Sequence, residues 1–553
     1  MTKEKKQQTI GSYLIGRLYE LGVRHVFGVP GDFSLKFCKL LETDGRLAFI
    51  GTTREDTAGF AADGYARRHD AIGVVLVTYG VGALGTVNPI AGAHAESSPV
   101  LVISGAPGVD ERRDNPMIHH CFGSVGAQMR IFENFTCRAA VLEDRSQALR
   151  QIDEVLEDIW SKKKPGYLEL PRDMIDKEVQ HETDDDTFCQ YESSDAQTLD
   201  EVLSETIGLV KQAKTPVILA GVELHRYGVQ KELEQLVESA RLPVAATIMG
   251  KSVINERHPL YLGVYQGLVG SECARQKVEQ ADVLLSLGVM FTDINMGMYT
   301  AKLDPNHMIR ANQGEVTVKH HNYSRITLKD FILGLAEALT SSAPDPYGIG
   351  AFVGGFAAVR PPAENDGLTM RGIIETLNET LTAGMAVICD TGDCLFAATE
   401  LKVSGHTAFF ASAFYATMGF AVPAALGVAC AHPKIRPLIL VGDGAFQMTG
   451  TELATFKKMR FAPIVVVVNN SGYETERAIM DGAFNDIPGW DYGKICGLLG
   501  YGRDFKAETA DEFKSALRQA MADKNQMTVI NAVVTESSQS MRRLTEEIRR
   551  RIK

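Results

Sequence analysis

Two strongly apolar runs, residues 437–441 and 463–468, stop abruptly at small and polar residues. The first ends at Gly442-Asp443-Gly444 and the second at Asn469-Asn470-Ser471-Gly472. Short apolar runs bounded by turn residues read as strands buried on both faces, as parallel sheets require. Open parallel sheets bind ligands beyond the carboxyl ends of their strands. Asp443 and Asn470 thus bring a carboxylate and an amide to one crevice, and the glycines let backbone N–H groups come close to a ligand. Oxygen donors of this kind suit magnesium, which draws its remaining ligands from phosphates and water. The pattern reads as a magnesium-bridged diphosphate site. Gly-Asp-Gly alone is also good turn chemistry after any strand; the second strand end gives the metal reading its weight.

The chain has 553 residues, too many for one core and enough for about three or four domains. Short apolar strands alternate with helical patterns in three blocks, which reads as α/β: three doubly wound parallel-sheet domains. The first block, 1–180, has strands expected near 25–29, 47–50, 73–78, 100–104 and 167–170. The second, 198–340, has strands near 216–220, 243–247 and 282–287. The third, 368–553, has strands near 386–389, 437–441, 464–468 and 528–533. An acidic stretch over 181–195 and a Pro- and Gly-rich stretch over 341–366 read as linkers. Met541, Leu544, Ile548 and Ile552 form a narrow apolar stripe on a polar terminal helix, expected to dock on the body of the protein.

The net charge of −12 argues against a general nucleic-acid binder, which wants a basic footprint. Lys162-Lys163-Lys164 and Arg549-Arg550-Arg551 read as solvated helix ends. No apolar stretch is long enough to span a membrane, residues 1–8 lack an apolar signal core, and nine cysteines occur without a CxxC pair. A cytoplasmic protein with reduced thiols is expected. Cys121 and Cys394 lie near candidate site residues but read as packing groups, because nothing beside them in the sequence would favour a thiolate.

The first block carries a second set of candidates. Asp32 follows Phe27-Gly28-Val29-Pro30-Gly31 at a strand end, where a turn or helix cap is the ordinary reading. Glu55 follows Thr52-Thr53-Arg54 and opens a helix rich in small residues; taken alone it reads as a dipole-favoured first-turn glutamate. His119-His120 lacks metal-ligand spacing, yet imidazole suits proton traffic near neutral pH.

Taken in order, Gly28-Val29-Pro30-Gly31-Asp32, Glu55 with 61–67, His119-His120, Gly442-Asp443-Gly444 and 469–476 resemble the thiamine-diphosphate-dependent 2-oxo acid decarboxylases, the pyruvate, indolepyruvate and phenylpyruvate decarboxylase group. The resemblance runs over nearly the whole chain. It implies a pyrimidine-binding domain, a central domain and a diphosphate-binding domain. Active sites would form between the first domain of one subunit and the third of its neighbour, making a homodimer the minimum and a homotetramer the expected assembly. The implied cofactors are thiamine diphosphate and Mg2+, with Asp443, Asn470 and the Gly472 carbonyl on the metal. Thr391, Ala416, Met418, Gly444, Ala445 and Tyr473 would join them around the cofactor. By residue type alone Met418 reads as a core methionine. Glu55 would hydrogen-bond the aminopyrimidine ring, and Asp32, His119, His120 and Glu476 would handle the protons of decarboxylation. The implied reaction converts a 2-oxo acid to an aldehyde and carbon dioxide.

Leu395 stands where some pyruvate-restricted members carry tryptophan, which leaves room for branched or aromatic substrates. A carboligating, acetolactate-synthase-like enzyme is the nearest alternative; such enzymes share Glu55 and the metal motif but do not usually carry the histidine pair. A non-catalytic binding protein that kept the cofactor site is a further alternative.

Overall fold

A computed structural model describes residues 5–67, 71–114, 116–182, 193–340 and 367–552. The chain divides into two compact units. The first holds Met1–Tyr191 with Val422–Pro433 and Thr449–Met459; the second holds Glu192–Ala421, Lys434–Met448 and Arg460–Lys553.

In the first unit six strands form one sheet, in spatial order Ala48–Gly51, His25–Gly28, Gly73–Val77, Val100–Ala106, Gly166–Pro171 and Ala139–Val141. All pair in parallel. The three strands Gly73–Val77, Val100–Ala106 and Gly166–Pro171 are buried at every residue, which explains their unbroken apolar sequences. Numbered along the chain, the strands lie in the order 2-1-3-4-6-5. The order reverses between His25–Gly28 and Gly73–Val77, so a crevice opens beyond their carboxyl ends. The helix Glu55–Ala66 is buried from Thr57 onward. Glycines at its closest contacts permit that. A Cβ on Gly59 would lie 2.4 Å from Pro89, and one on Gly64 would lie 2.2 Å from the Ala424 carbonyl. The helix Ala148–Lys162 instead buries one stripe of Ile152, Val155, Leu156 and Ile159, each contributing about 1.5–3 kcal/mol. Lys5–Thr9, read from sequence only as a charged terminus, pairs antiparallel with Glu178–Glu182.

The second unit contains two sheets. One is again six parallel strands, in spatial order Phe409–Ala411, Met385–Cys389, Arg436–Gly442, Ile464–Asn469, Thr528–Val533 and Arg503–Ala507. It repeats the 2-1-3-4-6-5 order of the first unit, so two blocks without a visible residue-level repeat share a topology. Its reversal point falls between Met385–Cys389 and Arg436–Gly442, which places Asp390, Thr391 and Asp443 at the crevice.

The other sheet runs Tyr261–Val264, Val244–Ala246, Pro216–Ala220, Val283–Leu287, Met308–Asn312, Gly314–Val318, His321–Ile326. Its first five strands are parallel, and two antiparallel strands extend its edge. Tight turns at Gly314 (φ +90°) and Lys319 (φ +54°) make those edge hairpins. The terminal helix Gln539–Ile552 docks through Met541 and Leu544, which are buried, and through Ile548; Ile552 stays exposed. Of the two expected linkers, 183–192 and 341–366 lie outside the described residues. His181 and Glu182 close a strand and Asp195 caps the helix Ala196–Gln212. Among the described residues no helix is long and apolar enough to cross a membrane.

Candidate functional site

In the first unit, the turn after His25–Gly28 carries Asp32. The segment between the short helical turn Asp110–Arg112 and the helix Ala127–Phe132 carries His119 and His120. His119 Nε2 lies 2.6 Å from Asp32 Oδ2, and His120 Nδ1 lies 3.8 Å from Asp32 Oδ1. Partial burial raises the Asp32 carboxyl. The His119 hydrogen bond and charge, the Phe33 N–H and the His120 charge outweigh it and hold the group below the usual carboxylate range. The His119 ring stacks on Phe33, centroids 4.9 Å apart, and the Arg172 guanidinium lies 5.1 Å from the same Phe33 ring. His120 adopts φ +67°, a left-handed conformation that a histidine keeps only when its surroundings impose it. Glu55 sits at the first position of its helix, against Gly82 and Gly85; a Cβ on Gly85 would lie 3.1 Å from the Glu55 Cβ. Thr53, two residues earlier, donates from its N–H and hydroxyl to the buried Glu452.

In the second unit, Asp443 ends Arg436–Gly442 and is almost wholly buried. Burial raises its carboxyl, against the N–H groups of Gly444, Ser471, Gly472 and Asn470. Gly444 donates at 2.8 Å and Gly472 at 3.2 Å. The Asn470 side-chain oxygen is buried and has no hydrogen-bond partner. A buried acceptor without a donor costs about 1–3 kcal/mol, and a buried carboxylate beside it wants a cation. The donor set fits a hard divalent metal. The backbone there is strained, with Ser471 at φ +64° and Gly472 at φ +152°. A Cβ at 472 would meet the Asn485 carbonyl at 2.3 Å, so only glycine fits. Arg477 braces the turn, donating to the Ser471 carbonyl at 3.2 Å and to Asp486 at 2.9 Å. Tyr473 packs over Gly444, and Ala445 is buried beside it. Glu476 lies exposed on the following helix, Glu474–Ile479.

Asp390, which the sequence reading passed over, organises the neighbouring strand end. Its buried carboxylate accepts from the N–H groups of Thr391, Gly419 and Ala421, and burial pushes its pKa up to about 6. It thereby joins Thr391 to the segment holding Ala416 and Met418. Its position directly after the apolar strand Met385–Cys389 is the same signal that singled out Asp443. Ala416 is held at φ +55°. Met418 is 38% exposed, which corrects the core reading drawn from residue type. Leu395 is 1% exposed inside the apolar core, so its smaller size does not by itself open space on the surface of this unit. Cys394 is buried as well, and burial raises its thiol far above the ordinary value; Cys121 is raised for the same reason. Both behave as packing groups.

Three family models match in order. Residues 8–131 match the N-terminal TPP binding domain of thiamine pyrophosphate enzymes, 203–329 the central domain, and 390–532 the C-terminal TPP binding domain. The chain belongs to the thiamine pyrophosphate enzymes. Within that family it is similar along nearly all its length to named decarboxylases. An indole-3-pyruvate decarboxylase of Azospirillum brasilense is 34% identical over 530 residues, covering 94% of this chain and 94% of that protein. An alpha-keto-acid decarboxylase of Mycobacterium avium is 32% identical over 544 residues, covering 95% and 94%. One from Mycobacterium leprae is 34% identical over 535 residues, covering 95% and 93%. This thiamine pyrophosphate enzyme is a 2-oxo acid decarboxylase, a carboxy-lyase. The N-terminal match covers the first four strands along the chain of the first unit's sheet, and the C-terminal match begins just after Met385–Cys389 and runs into the last strand, Thr528–Val533.

Proposed function

We propose that the enzyme holds thiamine diphosphate through a magnesium ion bound by Asp443, Asn470 and the Gly472 carbonyl, and releases an aldehyde and carbon dioxide from a 2-oxo acid. The observation that carries the metal assignment is the partnerless Asn470 oxygen next to the buried Asp443 carboxylate. The thiazolium ring of the cofactor supplies the electron sink that makes loss of the carboxylate possible. Glu55 hydrogen-bonds the aminopyrimidine ring. Thr391, Ala416, Met418, Gly444, Ala445 and Tyr473 cradle the cofactor, and the exposure of Met418 and the constrained backbone of Ala416 support that role. Asp32, His119, His120 and Glu476 move protons; the 2.6 Å contact between His119 and Asp32 supports a pair that shares one proton. Such groups titrate as a coupled set.

The substrate is pyruvate or a larger branched or aromatic 2-oxo acid, with indolepyruvate favoured by the similarity to the Azospirillum indole-3-pyruvate decarboxylase. The working assembly is at least a homodimer, as a homotetramer in the cytoplasm; the eight described cysteines are all free thiols, which suits a reducing compartment. The test compares kcat/KM for pyruvate, a branched 2-oxo acid, phenylpyruvate and indolepyruvate, with thiamine diphosphate and magnesium present. A preference for the bulkier acids supports the reading, and turnover confined to pyruvate removes the larger substrates from it. Asp32→Asn and Glu476→Gln proteins that decarboxylate at the parent rate refute the proton roles.

A further inference from the structure

Beneath the histidine pair the first unit contains a buried polar chain. The Gly80 N–H donates to Gln128 Oε1 at 2.6 Å. Gln128 Nε2 donates to Ser104 Oγ at 2.9 Å and to the Tyr167 hydroxyl at 2.6 Å. Tyr167 donates to Glu169 Oε2 at 3.0 Å, and Arg112 Nη1 donates to Glu169 Oε1 at 2.9 Å. Gln128, Ser104, Tyr167 and Glu169 have no exposed surface, and Arg112 has 9%.

The placement of its ends is informative. Arg112 immediately precedes the segment that carries His119 and His120, and Gln128 follows it. Both are tied to one strand, Gly166–Pro171, through Tyr167 and Glu169. The chain also fixes Gly80, whose φ is +62°, and a Cβ there would lie 1.8 Å from the His120 carbonyl oxygen. Gly80 therefore forms the wall against which the left-handed His120 rests. Apolar groups of similar shape often replace such buried polar groups without loss of stability. A continuous hydrogen-bonded chain instead selects one arrangement of what it holds.

We propose that Gln128, Tyr167, Glu169 and Arg112 are positioning residues, which clamp both ends of the His119–His120 segment and set the two imidazoles against Asp32. This rests on the reading that Asp32, His119 and His120 handle the protons of the reaction. All four are buried and act through Gly80 and the segment ends.

The test uses the full-length enzyme with thiamine diphosphate and magnesium. Gln128→Leu and Tyr167→Phe are measured for kcat, KM, cofactor affinity, Tm and the pH profile of kcat. A displacement of catalytic groups near 1 Å costs about 100-fold in rate, so Gln128→Leu is expected to lower kcat by about 10- to 100-fold. It also moves the acid limb of the pH profile, because the His119–Asp32 contact loosens, while cofactor affinity stays within about 2-fold of the parent. Tyr167→Phe, which removes one oxygen and keeps the ring, moves the same limb in the same direction and carries the test if Gln128→Leu does not fold. Leu156→Ala, a core truncation that packs with Leu168 and Leu170 on the sheet face opposite Tyr167 and Glu169, lowers Tm and leaves the pH profile in place. Parental kcat and pH profile in Gln128→Leu and Tyr167→Phe overturn the proposal, as does a Leu156→Ala protein that reproduces their shift. Asp32→Asn is measured alongside. If it loses turnover while Gln128→Leu and Tyr167→Phe do not, only the positioning fails. If it turns over at the parent rate, the proton-handling reading fails and the positioning with it.

Discussion

Replacing Asn470 by leucine separates metal binding from folding, because the two respond with opposite sign. Without cofactor, the buried Asn470 oxygen has no hydrogen-bond partner. Leucine has similar volume and no polar atom, so it relieves a desolvation cost of about 1–3 kcal/mol. The metal-free variant is therefore expected to be as stable as the parent or more stable by about 1–2 kcal/mol. With cofactor the order inverts. A ligand at 100 times its Kd stabilises the parent by about 2.7 kcal/mol, and a variant lacking one metal ligand forfeits most of this. Thermal unfolding with and without thiamine diphosphate and magnesium reads both effects on the same samples. Crossing stability orders are predicted. An Asn470→Leu protein less stable than the parent without ligand, and showing the full parental shift with it, refutes the assignment of this oxygen to the metal.

Three further outcomes follow from buried charge and strained backbone. Burial pushes the Asp390 pKa from 3.8 to about 6. The native state then binds more protons than the unfolded chain between those values, so this carboxyl's stabilising contribution is full below pH 3.8 and is lost as pH rises through about 6. Asp390→Asn is expected to remove up to about 1.4 kcal/mol per pH unit from the slope of stability against pH in that window; denaturant titrations at about pH 4.5 and 6 check it, and an unchanged slope contradicts it. Lys251 and Glu256 form a buried pair at 2.6 Å, with Lys251 also donating to the Leu401 carbonyl. Lys251→Met strands the glutamate and is expected to cost about 3–5 kcal/mol, with Glu256→Gln added to it recovering a large part; equal losses in the single and double variants by urea unfolding contradict this. Gly472→Ala puts a methyl 2.3 Å from the Asn485 carbonyl at φ +152°, and is expected to weaken cofactor affinity more than it lowers Tm, read by titrating activity with thiamine diphosphate.

The strands that carry the candidate site were legible because their sequences are uninterrupted apolar runs. Ile464–Asn469 and Arg436–Gly442 are buried at all interior positions, and the polar residue that matters, Asn470 or Asp443, follows each directly. Several strands that carry no clear sequence signal lie at sheet edges or are very short, while Met308–Asn312 and Gly314–Val318 are inner strands that the reading also passed over. His321–Ile326 is largely exposed and Arg503–Ala507 has a single buried residue, so no apolar run marks them, and Phe409–Ala411 and Ala139–Val141 are three residues long. What the sequence could not disclose is conformational. Nothing in the residue types of His120, Ala416 or Ser471 announces a left-handed backbone, because tertiary packing imposes it. The chain from Arg112 to Gly80 was equally hidden: apart from the Tyr167–Glu169 contact, its links join residues 24 to 57 positions apart.

The measurement closest to the central claim is the carbon balance of the purified enzyme with one 2-oxo acid, thiamine diphosphate and magnesium. A decarboxylase returns one aldehyde for every carbon dioxide, and the Asp443→Ala protein, still folded, returns neither. Carbon dioxide accompanied by a condensed acyloin or hydroxy-oxo acid in place of the aldehyde, or undiminished turnover after Asp443→Ala, contradicts the account.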